Sequence, residues 1–386
     1  MNIQRFVPFL KKRNNRPRTP ILFKLYEKLP KLSFALSIFV TLTGILALVL
    51  FPTMLLALPY ALYTSIMSAH DLKDWINPAI FLTLILLAAG FCWAIYQLKF
   101  SLPTGLEVTK EKFPQLSKLI TELQEEFGNP KIERILLRDA YDIRVIKTPR
   151  SGMPFLNTRT LIIGLPVLLT MPPVYFRALL ARRIGQLSTK HTPVTTRLYF
   201  LNDTWLQLKD ACKHSRNGFA KALGYFFQLY SPLYQHTLMP LLQNEELEAD
   251  RYGMDLVNNQ DMVECVVYEE VVIQFLNTKF WPKIYHMAKR SKTPQYLPYA
   301  QMTKVIKTGI SNTEISEVLQ RALKIDFNAK SMNPSLTNRL NHLGHSKPLP
   351  PKRLMQTAAD YYLGNASEQV IQLFDKHWLK KLATQK

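Results

Sequence analysis

The sequence predicts a mainly helical protein with a small β element, held near its N-terminus by two transmembrane helices. Three observations carry this. Two uncharged apolar runs, 32–69 and 76–98, follow one another early in the chain. Most of the chain beyond Gly164 places apolar residues at helical spacing. Between these regions lie three short runs rich in Ile, Leu and Val, at 132–137, 143–147 and 160–163, which read as strands. A length of 386 residues admits one large domain or two small ones, and a formal net charge of +21 favours anionic partners or an anionic membrane surface. The three cysteines, Cys92, Cys212 and Cys265, are widely spaced and form no CxxC pair. That argues against a disulfide framework or a cysteine zinc site and suits a reducing compartment.

Residues 1–31 carry nine Lys/Arg against Glu27 alone, and Pro8, Pro17, Pro20 and Pro30 interrupt any long helix. No small-residue cleavage site follows closely behind an apolar core, so this basic segment is expected to stay in the mature protein. The run 32–69 exceeds the ~20 apolar residues a helix needs to cross a bilayer. Pro52 and Pro59 are expected to kink it or end the span, leaving Tyr60 and Tyr63 at an interface. A polar link, 70–75, leads to the second run, which has Trp75, Trp93 and Tyr96 near its ends.

Lys/Arg asymmetry sets the expected orientation. The N-terminal segment carries nine, the link only Lys73, and the flank after the second run carries Lys99, Lys110 and Lys112. Both termini are therefore expected in the cytoplasm, at an inner or plasma membrane. With +8 on residues 1–31 and −1 on the link, the part from Lys99 onward holds +14 of the total.

Residues 106–128 read as an amphipathic helix with Leu116, Leu119, Ile120 and Leu123 on one face, ended by Gly128-Asn-Pro130. After the strands, Pro172 and Pro173 open a helix that carries Phe176, Leu179, Leu180, Ile184 and Leu187 at helical spacing. Further helices are expected at 198–213, 219–230, 236–258, 262–276 and 313–323, with 277–312 irregular. The run 346–351 is too proline-dense for regular structure, and 352–386 reads as a helical tail broken near Gly364-Asn365. The chain thus divides into a basic segment (1–31), a transmembrane hairpin (32–98), a main domain (99–345) and a linker with a helical tail (346–386).

Three stretches carry the chemistry. The first is Leu179-Leu-Ala-Arg-Arg-Ile-Gly-Gln186, the second Asn244-Glu-Glu-Leu-Glu-Ala-Asp250, and the third Asn333-Pro-Ser-Leu-Thr-Asn-Arg339. In this order, after a transmembrane hairpin, they resemble the membrane zinc metallopeptidases typified by HtpX and the CAAX prenyl protease. That family carries L-A-H-E-x-G-H, then E-x-x-A-D, then H-P-S-x-x-x-R. The resemblance covers about residues 100–345 and implies a zincin-like domain. It places the first zinc ligand on Arg182, the catalytic glutamate on Arg183 and the second ligand on Gln186. The third ligand falls on Glu246 and its supporting acid on Asp250, both kept. The late histidine falls on Asn333, while Pro334 and Arg339 match.

A peptidase zinc needs three protein ligands and a water. Arginine has no lone pair to offer, and Arg183 cannot take a proton from a zinc-bound water. No metal and no catalytic residue is therefore expected, and no pair among the eight histidines shows i, i+4 spacing to rebuild a site. Two arrangements stay open for Arg182 and Arg183. One is a guanidinium bridge to Glu246, with Asp250, in the metal's place; the other is a solvated polar face. Arg177, Arg182, Arg183, Lys190 and Arg197 are a candidate basic face for anionic lipid or an acidic partner. The expected function is that of an inactive family member whose groove binds or regulates membrane proteins, among them an active relative. The alternative is an active zinc endopeptidase with a non-standard site. No nucleic-acid motif accompanies the charge.

Overall fold

A computed structural model describes residues 21–150, 153–188, 194–290, 296–325, 333–345, 347–348 and 354–384. The basic residues before Ile21, together with Lys190, His191 and most of the proline-rich run, lie outside them. The protein is mainly helical with one small sheet.

A short helix, α1 (Ile21–Lys28), leads into α2 (Pro30–Met67), whose Pro30 occupies the first turn, where no N–H is needed. The helix runs unbroken through Pro52 and Pro59. A 3₁₀ turn, Leu72–Trp75, reverses the chain, and the Asp74 carboxylate caps it by accepting from the His70 and Asp71 amides at 2.9 Å. α3 (Ile76–Tyr96) returns alongside α2, with the rings of Phe51 and Phe91 stacked at 4.1 Å. Both helices are long and apolar enough to cross a membrane, by length and composition.

The sheet has four strands in the order β1-β2-β4-β3: β1 (Leu106–Glu107), β2 (Arg134–Arg138), β3 (Ile143–Arg150) and β4 (Met153–Gly164). β2 and β4 are parallel; the other pairs are antiparallel. Central β4 buries Leu161, Ile162 and Ile163 on both faces, which explains its unbroken apolar run. Edge strand β3 alternates instead, with Ile143 and Val145 inward and Arg144 exposed. α4 (Pro114–Glu126) buries the four predicted residues Leu116, Leu119, Ile120 and Leu123. It starts later than expected, because Leu106 and Glu107 pair with β2.

After β4 come α5 (Leu165–Thr170), α6 (Pro173–Gly185), α7 (Val194–His214) and α8 (Gly218–Met254). α8 is one helix where the sequence suggested two. Pro232 and Pro240 each free the carbonyl four residues earlier, on Gln228 and His236. Both of those residues are exposed, so water can satisfy the freed groups. α9 (Asn259–Phe275) passes through a π turn, Leu276–Phe280, into α10 (Trp281–Arg290), and α11 (Pro298–Thr308) follows. The segment 277–312 is therefore largely helical where described, contrary to its irregular reading. α12 (Asn312–Leu323), α13 (Leu336–His342), α14 (Ala358–Tyr362) and α15 (Ser367–Ala383) complete the chain. The tail packs into the main core. Asp375 accepts from the amides of Tyr299 and Ala300 at the start of α11, and Tyr362 packs its ring on Phe176 of α6.

Two apolar cores result. The larger lies among the sheet, α4–α6 and α9–α15. The second joins α2, α3, α7 and α8 around Trp205, Phe227, Tyr230 and Tyr234. α8 belongs to both regions, reaching from the apolar hairpin at one end to α6 and α9 at the other.

Candidate functional site

α6 and α8 meet where their backbones come close. A Cβ on Gly185 would lie 2.5 Å from Tyr252, and one on Gly253 would lie 3.1 Å from the Ala178 carbonyl oxygen. This contact brings the last turn of α6 against the Glu246–Asp250 turn of α8. Overpacking a helix crossing costs about 1–3 kcal/mol. Gly185→Ala is accordingly expected to lower stability by that amount in urea unfolding, without loss of helix content by circular dichroism.

At the crossing, Arg182 is buried, with its side chain 6 % exposed against 3 % for Glu246 and 0 % for Asp250. Its Nη2 donates to Glu246 Oε2 at 3.3 Å. Its Nε stands 2.6 Å from Asp250 Oδ1, an ion pair whose N–H is not aligned on the oxygen. Its Nη1 lies 3.7 Å from Glu269 Oε2 on α9. Arg183 points the other way, toward the sheet. Its Nη1 donates to Glu246 Oε1 at 2.7 Å and to Gln186 Oε1 at 3.2 Å, and its Nε donates to the Ile143 carbonyl of β3 at 2.8 Å. Arg339 of α13 closes the far side. It donates twice to Asp250 at 2.9 Å and once to Glu269 at 2.9 Å. Tyr199 of α7 donates to Glu246 Oε1 at 2.6 Å.

Three guanidiniums thus interlock with three carboxylates, and the cluster is neutral as a whole. Of the seven positions singled out in the sequence, Arg182, Arg183, Gln186, Glu246, Asp250 and Arg339 join this one network. Asn333 lines the adjoining cleft of about 100 Å³ together with Arg182, Arg183 and Glu269. Glu269 and Tyr199 were not foreseen. The signal for Glu269 was present: Glu269-Glu270 interrupts the otherwise apolar run Cys265–Ile273. The predicted basic face does not form, because Arg182 is buried and Arg183 is turned into the protein.

The electrostatics follow from burial and pairing. Burial alone would raise the Glu246 carboxyl. The charges of Arg183 and Arg182, with hydrogen bonds from Arg183 and Tyr199, outweigh it and hold the group at about 2, against an ordinary 4.5. Burial and the Glu246 charge push the Tyr199 phenol well up, so it remains a donor. For Arg339, burial is outweighed by Asp250 and Glu269, and its value rises. Because the folded value of Glu246 lies below its unfolded one, its contribution to stability is complete above about pH 4.5. It is lost as pH falls through about 2. Urea unfolding across an acid series is expected to show this loss, and Glu246→Gln to flatten it.

The residues do not fit a peptidase zinc. The guanidinium of Arg182 stands among the carboxylates with no lone pair to give, and both oxygens of Glu246 already accept from arginine. His214 uses its Nδ1 on the Asp210 carbonyl, and His342 lies 3.8 Å from Glu248. Among the described residues no group of three or more His, Cys, Asp or Glu is arranged to hold a metal ion.

The outer edge of the sheet is also engaged. On β3, the carbonyls of Ile143 and Lys147 face away from β4. The first accepts from Arg183 and the second from Gln207 of α7 at 3.0 Å. An extended peptide that joined this edge would have to displace both.

No family model, curated protein or solved structure matches this chain.

Proposed function

We propose that this chain is a membrane-anchored pseudopeptidase. In this reading it has the scaffold of an HtpX-type zincin, with zinc replaced by arginine, and it binds or regulates membrane proteins instead of cutting them. One observation carries the reading. The guanidinium of Arg182 lies between Glu246 and Asp250, the two positions that the sequence resemblance assigns to the third ligand and its supporting acid. A fixed side-chain cation there does the ion's structural work of joining α6 to α8. It cannot polarise a carbonyl or activate water. The spans and the cytoplasmic placement of both termini belong to the same proposal. They are supported by the two apolar helices and by the Lys/Arg asymmetry around them. With Ile143 and Lys147 capped and a cleft of only about 100 Å³, partners are held by other surfaces than the closed sheet edge.

The test is metal analysis of the purified full chain, together with a protease assay on unfolded membrane substrates. The expected result is no stoichiometric zinc, and no difference in substrate turnover between wild type and Glu246→Gln. Stoichiometric zinc with cleavage abolished by a chelator would overturn the proposal.

A further inference from the structure

Three cations gather where the sheet meets α7, with no carboxylate paired to them. Lys147 of β3 stands directly opposite Arg159 of β4 in the antiparallel register, so their side chains leave the sheet side by side. Arg197, near the start of α7, is the third, and its charge bears on Lys147 together with that of Arg159. Among the described residues none of the three forms an ion pair. The acids around them are engaged elsewhere. Asp142 pairs with Arg144 at 2.8 Å, and Glu133 accepts from the Arg159 backbone amide at 2.7 Å and lies 4.0 Å from Lys131.

The Lys147 amine is held in place. Its Nζ lies 3.5 Å from the centre of the ring of Phe200, itself a buried residue of α7. The Lys147 carbonyl accepts from Gln207, which fixes the strand beneath it. Part of the side chain stays at the surface, so a solute can reach it. Burial, with the charges of Arg159 and Arg197, pushes the amine down to about 7 from an ordinary 10.5. Much of it is therefore uncharged at neutral pH, and an uncharged lysine is a nucleophile. Arg159 carries the basic patch into a neighbouring cleft of about 370 Å³, lined also by Lys131, Glu133 and Arg150. Like charges set opposite one another on neighbouring strands destabilise the pair. A bound anion would offset that cost.

From this arrangement we infer that Lys147 is an acyl-acceptor site, at which Arg159 and Arg197 hold the phosphate of a small acyl phosphate while the amine takes its acyl group. The arginines alone would suit any phosphate, through bonds from guanidinium to phosphate oxygen. The amine adds a demand for an electrophilic carbon beside the phosphate. An acyl phosphate meets both demands, because its carbonyl carbon is one oxygen away from phosphorus. The amine nitrogen attacks that carbon, and a C–N bond forms. The bond from the carbonyl carbon to the phosphate oxygen breaks, and its electron pair leaves with the phosphate. The proton lost by the amine ends on that phosphate, so the products are an amide on Lys147 and hydrogen phosphate. The two arginines stabilise the leaving group as well as the bound reagent. The amide is neutral, which removes one of the three crowded charges and the cation over Phe200. The inference stands apart from any peptidase ancestry, since none of its residues belongs to the Arg182–Glu246 cluster.

The test uses the full chain in detergent micelles at neutral pH, with acetyl phosphate as the probe and the occupancy of each lysine read by peptide mass spectrometry. Lys118, whose side chain is 80 % exposed, serves as the reference lysine. Lys147 is expected to be acetylated about tenfold or more faster than Lys118, because far more of it lacks a proton. Its rate should level off as acetyl phosphate is raised. Excess inorganic phosphate should slow Lys147 severalfold and leave Lys118 unchanged. A Lys147 rate no greater than that of Lys118 would overturn the proposal. A fast reaction that phosphate does not slow would show a bare reactive amine without an anion site, and would overturn it equally. Both readouts need only the wild-type chain. In Arg159→Gln/Arg197→Gln the levelling-off and the protection by phosphate should disappear together. Survival of either would show that these two arginines do not hold the phosphate.

Discussion

Replacing Arg182 by methionine is expected to lower stability by about 3–5 kcal/mol at neutral pH, the usual cost of removing one partner of a buried ion pair. Methionine keeps much of the volume and loses the charge. Glu246 retains Arg183 and Tyr199, and Asp250 and Glu269 retain Arg339. Three buried carboxylates then face two cations, and one negative charge is left over. The variant should respond to pH in the opposite sense from wild type. Its surplus carboxylate is destabilised when ionised, so its folded value rises and stability improves as pH falls toward the ordinary carboxylate range of about 4. Wild type loses stability below that range. Arg182→Met/Glu246→Gln removes one charge of each sign and should recover much of the loss, as a double-mutant cycle would show. Equal stability of wild type and Arg182→Met across the pH series would mean that the cluster does not hold α6 to α8.

The second large effect is a gain. Arg182→His/Arg183→Glu/Gln186→His restores the motif that the resemblance assigns to this helix, and it is expected to bind about one equivalent of zinc. Positions 182 and 186 stay on one face, because helical geometry continues through the C-cap at Gln186. Glu246, freed from both arginines, points at that face. Asp250 keeps its two bonds from Arg339 and remains placed to support a ligand. Charge drives the binding. The wild-type cluster is neutral, whereas the triple variant leaves Arg339 alone against four carboxylates and draws in a dication. Calorimetric titration and metal analysis measure the outcome. A folded triple variant that takes up no zinc would show that the likeness stops at sequence and does not extend to site geometry.

Much of this site was legible in the sequence, for reasons tied to particular residues. Glu246 and Asp250 share one helix face, as do Arg182 and Gln186, and only opposite charges at those spacings allow a bridge. The close crossing at Gly185 and Gly253 that brings the two faces together was not read from the sequence, since a glycine does not name the helix it packs against. Arg339 was visible only as a motif position, since nothing local tells that it would meet Asp250 across the bundle. Tyr199 was hidden in α7 among other aromatics, because a phenol declares its partner only after the helices have packed. The unbroken α8 was misread for a different reason. Local rules break a helix at Pro232 and Pro240, and packing against α2, α6 and α7 overrides them. The approach of the α7–α8 hairpin to α3 was also out of reach, since it depends on the long-range contact of Phe219 with Phe91.

That continuity of α8 has a consequence for which changes of length the chain can tolerate. Tyr230 and Glu246 sit on one helix with no joint between them, one fastened to α2 and the other to Arg182 and Arg183. Inserting or deleting a single residue between them would turn one attachment about 100° away from the other. The loop at 215–217, by contrast, can change length without disturbing either. Insertion tolerance should therefore fall to nothing between Tyr230 and Glu246 and return at the hairpin tip.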